Sequence, residues 1–419
     1  MIGLLLAAYV MSYVDRSVFG VLLQPIKNDF HFTDTQMGLL GGLAFAFFYS
    51  LLGIPLGWLG DRFNRRNIVA LGVAVWSVAT ALTGMARGFV GLFSARLLTG
   101  AGEATLSPCA MSMISDMFPK QKRGRAIAVY SMAISIGVGL GSIILGWLIT
   151  TTAKMDFSHL TTYGIDRPWR LVFVLVSIPG LIIALMFLLM KEPARQEGQK
   201  KDVASIRQTA HYLVTHRRAF FGVFGLGIIM SICTYYGYTW NPSFYKLTYG
   251  WAIPEYLKYT GMTVLVLGPL SMFAAGFLID YWVGKGHVDA PVRVMKLGLF
   301  IIVAVFAVYP LMPTYWSAFI VFQISTFGFT MATAAGPAAL LAISSGRMKA
   351  QIMAWYYFAI SLTGPVIGPW AVGFLNDHLF HDTKMIAKSL FVLAITLILP
   401  TLYLLIRPTG AYRQKALAQ

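Results

Sequence analysis

Charged residues are scarce in this chain. They make up 12% of its 419 residues, whereas a soluble domain carries about 25%. Apolar runs of 18 or more residues recur along the whole length instead, and each is long enough to cross a bilayer. This pattern excludes a soluble protein and predicts an all-α membrane protein. The twelve predicted transmembrane helices are residues 2–24, 36–60, 67–84, 89–113, 125–150, 169–190, 219–245, 257–281, 292–312, 315–341, 350–375 and 386–406.

Cysteine is nearly absent as well. Cys109 and Cys233 each lie inside a predicted span and outside any cluster of metal-ligand residues, so we expect packing residues and neither a disulfide nor a metal site. None of the seven histidines falls in the middle of a span, and the spans hold no nucleophile beside a base. The opening apolar run predicts a membrane span and not a cleavable signal peptide. We therefore expect no enzyme activity and no cofactor.

The basic residues are unevenly distributed. A net charge of +17 could indicate nucleic-acid binding, but the pattern along the chain argues against it. If both termini are cytoplasmic, the inside segments carry 22 Lys and Arg residues and the outside loops carry nine. Cytoplasmic loops of membrane proteins show this excess. We expect a multi-pass protein of the plasma membrane (the inner membrane of a bacterium), with both termini cytoplasmic and no nucleic-acid partner.

Two basic residues, Arg16 and Arg96, remain, and each interrupts an apolar span that also holds a carboxylate. Asp15 and Arg16 lie in the first span, and Arg96 and Glu103 lie in the fourth, within the run RLLTGAGE. Seven residues are two helical turns, so Arg96 and Glu103 point the same way, about 10 Å apart along the axis. Charges in hydrocarbon are costly and usually face a partner or a wet cavity. We predict that these four residues form the charge network of a membrane transporter, and that the intervening glycines let the first helix approach.

A loop with a recognisable pattern follows the second span. It reads GWLGDRFNRR over residues 57–66, with a glycine, an aspartate four residues later and then arginines. A carboxylate at this position can accept hydrogen bonds from the first amides of another helix, so we predict a cytoplasmic gate. The eighth span ends on a reduced copy with the same glycine-to-aspartate spacing. The predicted gate residues are Gly57, Asp61, Arg62, Arg65 and Arg66, with Gly276 and Asp280 in the copy.

The two copies stand 219 residues apart and indicate that the chain is built from two repeats. Applying the same offset places the glycine-rich fifth span on the eleventh, which reads GPVIGP over 364–369. We predict an N-terminal six-helix bundle over 1–190 and a C-terminal one over 219–419. A cytoplasmic linker over 191–218 joins them, and its apolar residues recur at helical spacing, which indicates a short amphipathic helix.

The second repeat differs from the first because no charge lies in the middle of its spans. Aromatic and weakly polar residues occupy the corresponding region, which suits the wall of a cavity for a substrate with apolar bulk. Interfacial aromatic belts are the alternative interpretation, above all for Trp240 near the end of its span. The predicted cavity residues are Tyr235, Tyr236, Tyr238, Asn241, Gln323, Trp355, Tyr356 and Tyr357.

Two signatures resemble those of the major facilitator superfamily: the loop at 57–66, and Arg-x-x-x-Gly-x-Gly from Arg96. The resemblance covers the whole chain and implies two pseudo-symmetric six-helix bundles. Within the first half, YVDR over 13–16, GEA over 102–104 with ISDMFP over 114–119 and RGRA over 123–126, and RPWR over 167–170 resemble the Spinster family of lysolipid and sphingolipid transporters. That resemblance implies a coupling site at Asp15, Arg16, Arg96 and Glu103. It also implies an amphipathic lipid-like or drug-like substrate, coupled to protons. Independently of the resemblance, we expect a monomer among membrane lipids.

The anion:cation symporter family is the main alternative, because it shares the Tyr-x-Asp-Arg and Gly-Glu-Ala stretches. It would imply a small organic anion such as a sugar acid. Such a substrate calls for several polar or basic groups in the cavity, and the second repeat offers few. A substrate-gated receptor and a lipid scramblase also remain open. Neither the substrate nor the direction of transport follows from the sequence.

Overall fold

The structure is a computed structural model, which describes residues 1–194, 205–345, 348–407 and 409–418. Over these residues the chain is helical and contains no β-strand. Short 3₁₀ or π turns lie at Thr161–Tyr163, Tyr309–Leu311, Leu375–Phe380 and Thr383–Met385. The α-helices are α1 Ile2–Val21, α2 Leu23–Phe30, α3 Asp34–Gly41, α4 Leu43–Arg62, α5 Arg65–Met85, α6 Phe89–Glu103, α7 Leu106–Met117, α8 Lys120–Ser131, α9 Ala133–Thr152, α10 Pro168–Leu189, α11 Ile206–Thr215, α12 Arg217–Tyr249, α13 Ile253–Gly284, α14 Ala290–Val308, α15 Tyr315–Ile343, α16 Lys349–Phe374, α17 Ile386–Ile406 and α18 Gly410–Leu417.

Eleven helical segments of the described chain are long and apolar enough to cross a membrane, and each coincides with a predicted span. The fourth predicted span, 89–113, differs because α6 ends at Glu103 and α7 begins only at Leu106. The backbone tightens between them: the Thr105 amide donates to the Gly102 carbonyl at 3.2 Å, and the Thr105 hydroxyl donates to the same oxygen at 2.8 Å. Glu103 therefore stands at a break in its span.

The chain divides by packing into two compact units. The first unit comprises Met1–Glu197 and Tyr238–Leu265, and the second comprises Gly198–Gly237 and Val266–Gln419. The end of α12 and the first half of α13 thus pack in the first unit, through glycines. A Cβ on Gly20 would stand 3.2 Å from the Tyr238 carbonyl oxygen, and one on Gly139 only 2.5 Å from Leu265 Cγ. The boundaries 1–190 and 219–419 of the six-helix bundles stay predictions.

Corresponding helices of the two repeats meet in the same way. In the first unit, Gly137 and Gly141 of α9 face Tyr13 and Val14 of α1, and a Cβ at either position would come within 3 Å of a side chain there. In the second unit, glycines of α16 with the same four-residue spacing face α12: Gly364 lies against Ser231, and Gly368 lies against Tyr236. This shared contact agrees with a chain built from two repeats.

The linker helix α11 packs within the second unit. Tyr212 donates its hydroxyl to the Ile343 carbonyl oxygen at 3.1 Å, and Thr209 is buried and bonds Gln351. Only part of the predicted linker is visible in this way, because residues 195–204 lie outside the described residues.

The last helix, α18, is tied to the start of α14 through Asp289, whose side chain is 1% exposed. Thr409 donates to Asp289 Oδ2 at 2.6 Å, Arg413 lies 3.0 Å from the same oxygen, and Arg293 lies 3.2 Å from Oδ1. Burial by itself would raise the pKa of Asp289, but these hydrogen bonds outweigh it and hold the pKa below the ordinary aspartate value.

Candidate functional site

The four charged residues of the predicted network all belong to the first unit. Asp15 and Arg16 lie on α1, and Arg96 and Glu103 lie on α6. Asp15, Arg96 and Glu103 are almost completely buried, at 2%, 4% and 2% exposure, and the side chain of Arg16 is 11% exposed. Buried charges are retained in proteins only where they are paired or serve a function.

Glu103 is the centre of the direct contacts. Its Oε2 atom accepts hydrogen bonds from the Arg16 Nε and from the Ser12 hydroxyl, both at 2.6 Å. Ser12 and Arg16 stand one turn apart on α1, so both reach the same carboxylate. A charge-assisted bond of this kind is about twice as strong as a neutral one. Glu103 therefore ties α1 to the end of α6.

Aromatic rings enclose the guanidinium of Arg16. Its Cζ lies 4.5 Å from the centroid of Tyr49, 4.8 Å from that of Phe45 and 5.2 Å from that of Tyr13. Cation–π contacts with desolvated rings stabilise a guanidinium by about 2 kcal/mol. The rings also keep water away from the ion pair, which strengthens its electrostatic attraction.

Asp15 and Arg96 lie in the same region but do not form an ion pair with each other. Among the described residues, Asp15 Oδ1 is buried without a hydrogen-bond partner, and so is Glu103 Oε1. Arg96 has a long contact from Nε to the Leu40 carbonyl oxygen at 3.5 Å and lies 5.0 Å from the ring centroid of Phe19. The structure thus pairs one arginine of the predicted network with one carboxylate and leaves the other two without a salt bridge.

The glycines of RLLTGAGE serve other helices than we expected. A Cβ on Gly100 would stand 2.2 Å from the Phe45 carbonyl oxygen of α4, and one on Gly102 would stand 2.7 Å from the Gly72 carbonyl oxygen of α5. They allow α6 to pack against α4 and α5, and the expectation that they clear a path for α1 is wrong. The approach of α1 to α6 is made by the polar contacts of Glu103.

The predicted cytoplasmic gate contains one fully engaged arginine, Arg65 at the start of α5. Its guanidinium lies 2.5 Å from Asp116 Oδ2 and 2.9 Å from Glu192 Oε1, and it also donates to the Ser112 hydroxyl at 2.9 Å. Its Nη2 donates to the Pro193 carbonyl oxygen at 3.1 Å. Arg65 thus joins the start of α5, the end of α7 and the segment after α10, all in the first unit.

The other gate residues are less engaged. Arg62 stacks on Trp58 with its Cζ 3.9 Å from a ring centroid, and Arg66 donates to the Met190 carbonyl oxygen at 2.7 Å. Gly57 faces Pro108, since a Cβ there would stand 3.6 Å from the proline Cβ. The side chain of Asp61 lies outside the described part of the chain. In the second copy, Gly276 and Asp280 are both exposed.

The predicted cavity residues fall into three groups: buried, half-buried and exposed. Tyr236 and Tyr356 are buried in the second unit: Tyr236 meets Phe306 edge to face at 4.9 Å, and Tyr356 packs against Gly227 and Gly336. Trp355 and Tyr357 are 41% and 48% exposed. Tyr235 and Tyr238 are half-buried, whereas Asn241, Gln323 and the interfacial candidate Trp240 are buried.

Tyr238 belongs to the first unit, and its hydroxyl bonds the Ser17 hydroxyl of α1. It also lies 3.5 Å from the Tyr13 carbonyl oxygen. Sequence reasoning missed Ser12, Ser17 and Tyr49, which complete the surroundings of Arg16 and of Tyr238. For Ser12 a signal was present, because it precedes Arg16 by one helical turn.

Residues 5–369 match the profile of the Major Facilitator Superfamily. A bacterial homologue of the human lysosomal transporter Spinster, solved in an inward-facing and unoccupied conformation, superposes with a TM-score of 0.80 at 24% identity, over 99% of this chain and 96% of that one. Protein spinster of Drosophila melanogaster is 30% identical over 57% of this chain and 37% of its own length. The hexuronate transporter of Bacillus subtilis is 25% identical over 93% of this chain and 91% of its own.

The chain therefore belongs to the major facilitator superfamily. It is a multi-pass integral membrane protein of the transporter class and not an enzyme, and its fold is that of the superfamily. Within this class the chain resembles Protein spinster of Drosophila melanogaster in sequence and shares its fold with the bacterial Spinster homologue.

Proposed function

We propose that this protein is a proton-coupled secondary transporter that moves an amphipathic, lipid-like substrate by alternating access. The observation that carries the proposal is the carboxylate of Glu103. One of its oxygens holds Ser12 and Arg16, and the other is buried without a hydrogen-bond partner in the described chain. A carboxylate so placed can take up a proton on the vacant oxygen and lose its hold on the arginine.

The coupling step follows from this geometry. When Glu103 is ionised, its charge holds the guanidinium of Arg16 among the aromatic rings and ties α1 to α6. Protonation of Glu103 removes the charge, weakens the tie and frees Arg16 to interact with a substrate. Asp15, buried beside these groups with an unpartnered oxygen, is the second proton carrier. A proton taken up on one side of the membrane then biases which helices are held together.

The substrate class is supported by the contrast between the two repeats and by the Spinster relatives. The freed Arg16 and the unpaired Arg96 supply positive charge for an anionic headgroup. The aromatic residues of the second repeat suit a substrate with apolar bulk. The plasma membrane, cytoplasmic termini and a monomer complete the proposal, and the excess of basic residues on one side supports the orientation.

Uptake into proteoliposomes with an imposed pH gradient tests the coupling. We expect Asp15→Asn and Glu103→Gln to abolish uptake driven by the gradient while binding of the substrate persists. Asp156→Asn is the matched control, because Asp156 is an exposed loop aspartate whose hydrogen bonds within the described chain go to Ser158, two residues away. Normal gradient-driven uptake by both site variants would refute proton coupling through these carboxylates.

A second candidate function is symport of a small organic anion such as a sugar acid. The buried guanidinium of Arg96 favours it, because it has no salt bridge among the described residues and could bind a carboxylate in a bidentate fashion. The match to the hexuronate transporter over nearly the full length supports the same idea. Thermal-shift measurements with lysophospholipids, sphingoid lipids and hexuronates separate the two, because a ligand stabilises the state that binds it. Stabilisation by hexuronates alone would select the sugar-acid function.

A further inference from the structure

A pocket in the first unit lies apart from the charge network. It has a volume of about 380 Å³ and is formed where α1 meets α2, where α9 ends and where α10 begins. Aliphatic side chains such as Leu22, Ile149 and Val172 form its walls, together with the Trp169 ring. Asp29 and Arg167 are the only charged residues of its lining. Its size falls within the range of about 300 to 1,000 Å³ that small-molecule sites occupy.

The position of the pocket along the membrane normal indicates which kind of molecule can occupy it. α1 ends at Val21, α9 ends at Thr152 and α10 begins at Pro168, so the pocket lies at the ends of membrane-spanning helices. This is the side opposite the loop that carries Arg65, which is the outer side in the proposed orientation. Water gains nothing in an apolar pocket, whereas lipid acyl chains are abundant at this depth.

The rim matches a zwitterionic headgroup. Arg167 Nε lies 3.4 Å from Asp29 Oδ1, and the side chain of Arg167 is 60% exposed while that of Asp29 is 18% exposed. Asp29 is held in place by Trp169, whose Nε1 donates to Oδ2 at 3.3 Å, and by the buried Arg170, whose Nη2 lies 3.7 Å from the same oxygen. The loosely held guanidinium can bind a phosphate with two donors. The fixed carboxylate beside it can accept from an ammonium group.

We propose that this pocket binds one acyl chain of a zwitterionic glycerophospholipid of the outer leaflet, with the lipid phosphate on Arg167. The lipid is a resident ligand of α1, α9 and α10 and not the transported substrate. Its chain fills the space between Leu22 and Val172, and its headgroup lies over Asp29. The site is independent of Glu103, so it does not depend on the coupling mechanism.

The test is photo-crosslinking in nanodiscs of phosphatidylethanolamine that contain a trace of the same lipid with a diazirine at the end of one acyl chain. We expect labelled peptides to map to 149–153 and 168–172 in the full-length protein. Ala153→Trp places a ring in the pocket and should lower this labelling about tenfold, the loss expected when about two methylenes are excluded from burial. Ala304→Trp is the matched control, since Ala304 is an exposed alanine of α14 and labelling should be unchanged.

Two further measurements test the proposal. Arg167→Gln leaves the packing intact because the side chain is largely exposed, and it should lower the labelling as well. Labelling spread evenly over exposed residues such as Phe273 and Phe277, and insensitive to Ala153→Trp, would overturn the proposal. Stronger competition by an unlabelled lysophospholipid than by unlabelled phosphatidylethanolamine would also overturn it, by assigning the pocket to a transported lipid.

Discussion

Replacing Arg65 by glutamine should destabilise the first unit more than any other single change among the predicted gate arginines. The side chain of Arg65 is 2% exposed and contacts two carboxylates, a hydroxyl and a backbone carbonyl. Glutamine retains some hydrogen bonding but removes the positive charge. Asp116 and Glu192 are then left without their shared cation.

The size of the effect follows from burial. Removing one partner of a buried ion pair costs about 3 to 5 kcal/mol, because the remaining charge stays desolvated. Asp116 and Glu192 are 13% and 16% exposed, so water can reach them in part, and we expect the lower end, about 3 kcal/mol. This corresponds to a fall in melting temperature of about 3 °C if the whole chain unfolds as one unit, and of about 6 °C if the first unit unfolds by itself.

Thermal unfolding of the detergent-solubilised protein is the measurement. Arg66→Gln is the matched control, because Arg66 bonds only carbonyl oxygens and a neighbouring asparagine. Loss of the Arg66 bonds should lower the free energy of unfolding by about 1 kcal/mol and the melting temperature by about one to two degrees. A double-mutant cycle of Arg65→Gln with Glu192→Gln should show a coupling of at least about 1 kcal/mol. Equal shifts of the melting temperature for the two arginine variants, or additive effects in the cycle, would show that Arg65 is not stabilised by its two carboxylate partners.

Two predictions concern the second unit. Asp289→Asn should destabilise the attachment of α18 by about 1 to 2 kcal/mol at neutral pH, through weaker bonds to Thr409 and Arg413. The pKa of Asp289 in the folded state lies below its value in the unfolded state, so its contribution to stability is present above about pH 4 and is lost as the pH falls through the folded-state pKa. The melting temperatures of wild type and variant should therefore converge in acid. Gly364→Ala should cost about 1 to 3 kcal/mol, because its Cβ would stand 1.9 Å from a serine hydroxyl of α12. Gly276→Ala should be neutral or stabilising, because a Cβ there would meet no described atom outside its own stretch of helix within 4 Å. An equal loss of stability in both alanine variants would contradict the packing argument.

The positions of the helices were predictable because hydrophobicity is a local property. Eleven of the twelve predicted spans coincide with helices that are apolar and long enough to cross a membrane. The break between α6 and α7 was not predictable, because it depends on a turn in which Thr105 bonds Gly102 and not on a change of hydropathy. The repeat was visible in the spacing of glycines, and the structure adds that these glycines serve the same contact in both units.

Which charges enter the membrane is evident from the amino-acid sequence, since a costly residue stands out in an apolar run. How those charges are used depends on the folded arrangement of the helices. Glu103 binds Arg16 and Ser12, whereas Asp15 and Arg96 are left without an ion pair. Pairing depends on how helices far apart in the chain are rotated and spaced, and this is set by the close packing of α6 on α4 and α5 at Gly100 and Gly102. Local sequence cannot specify such a contact, because the partner helices are chosen by the packing of the whole unit.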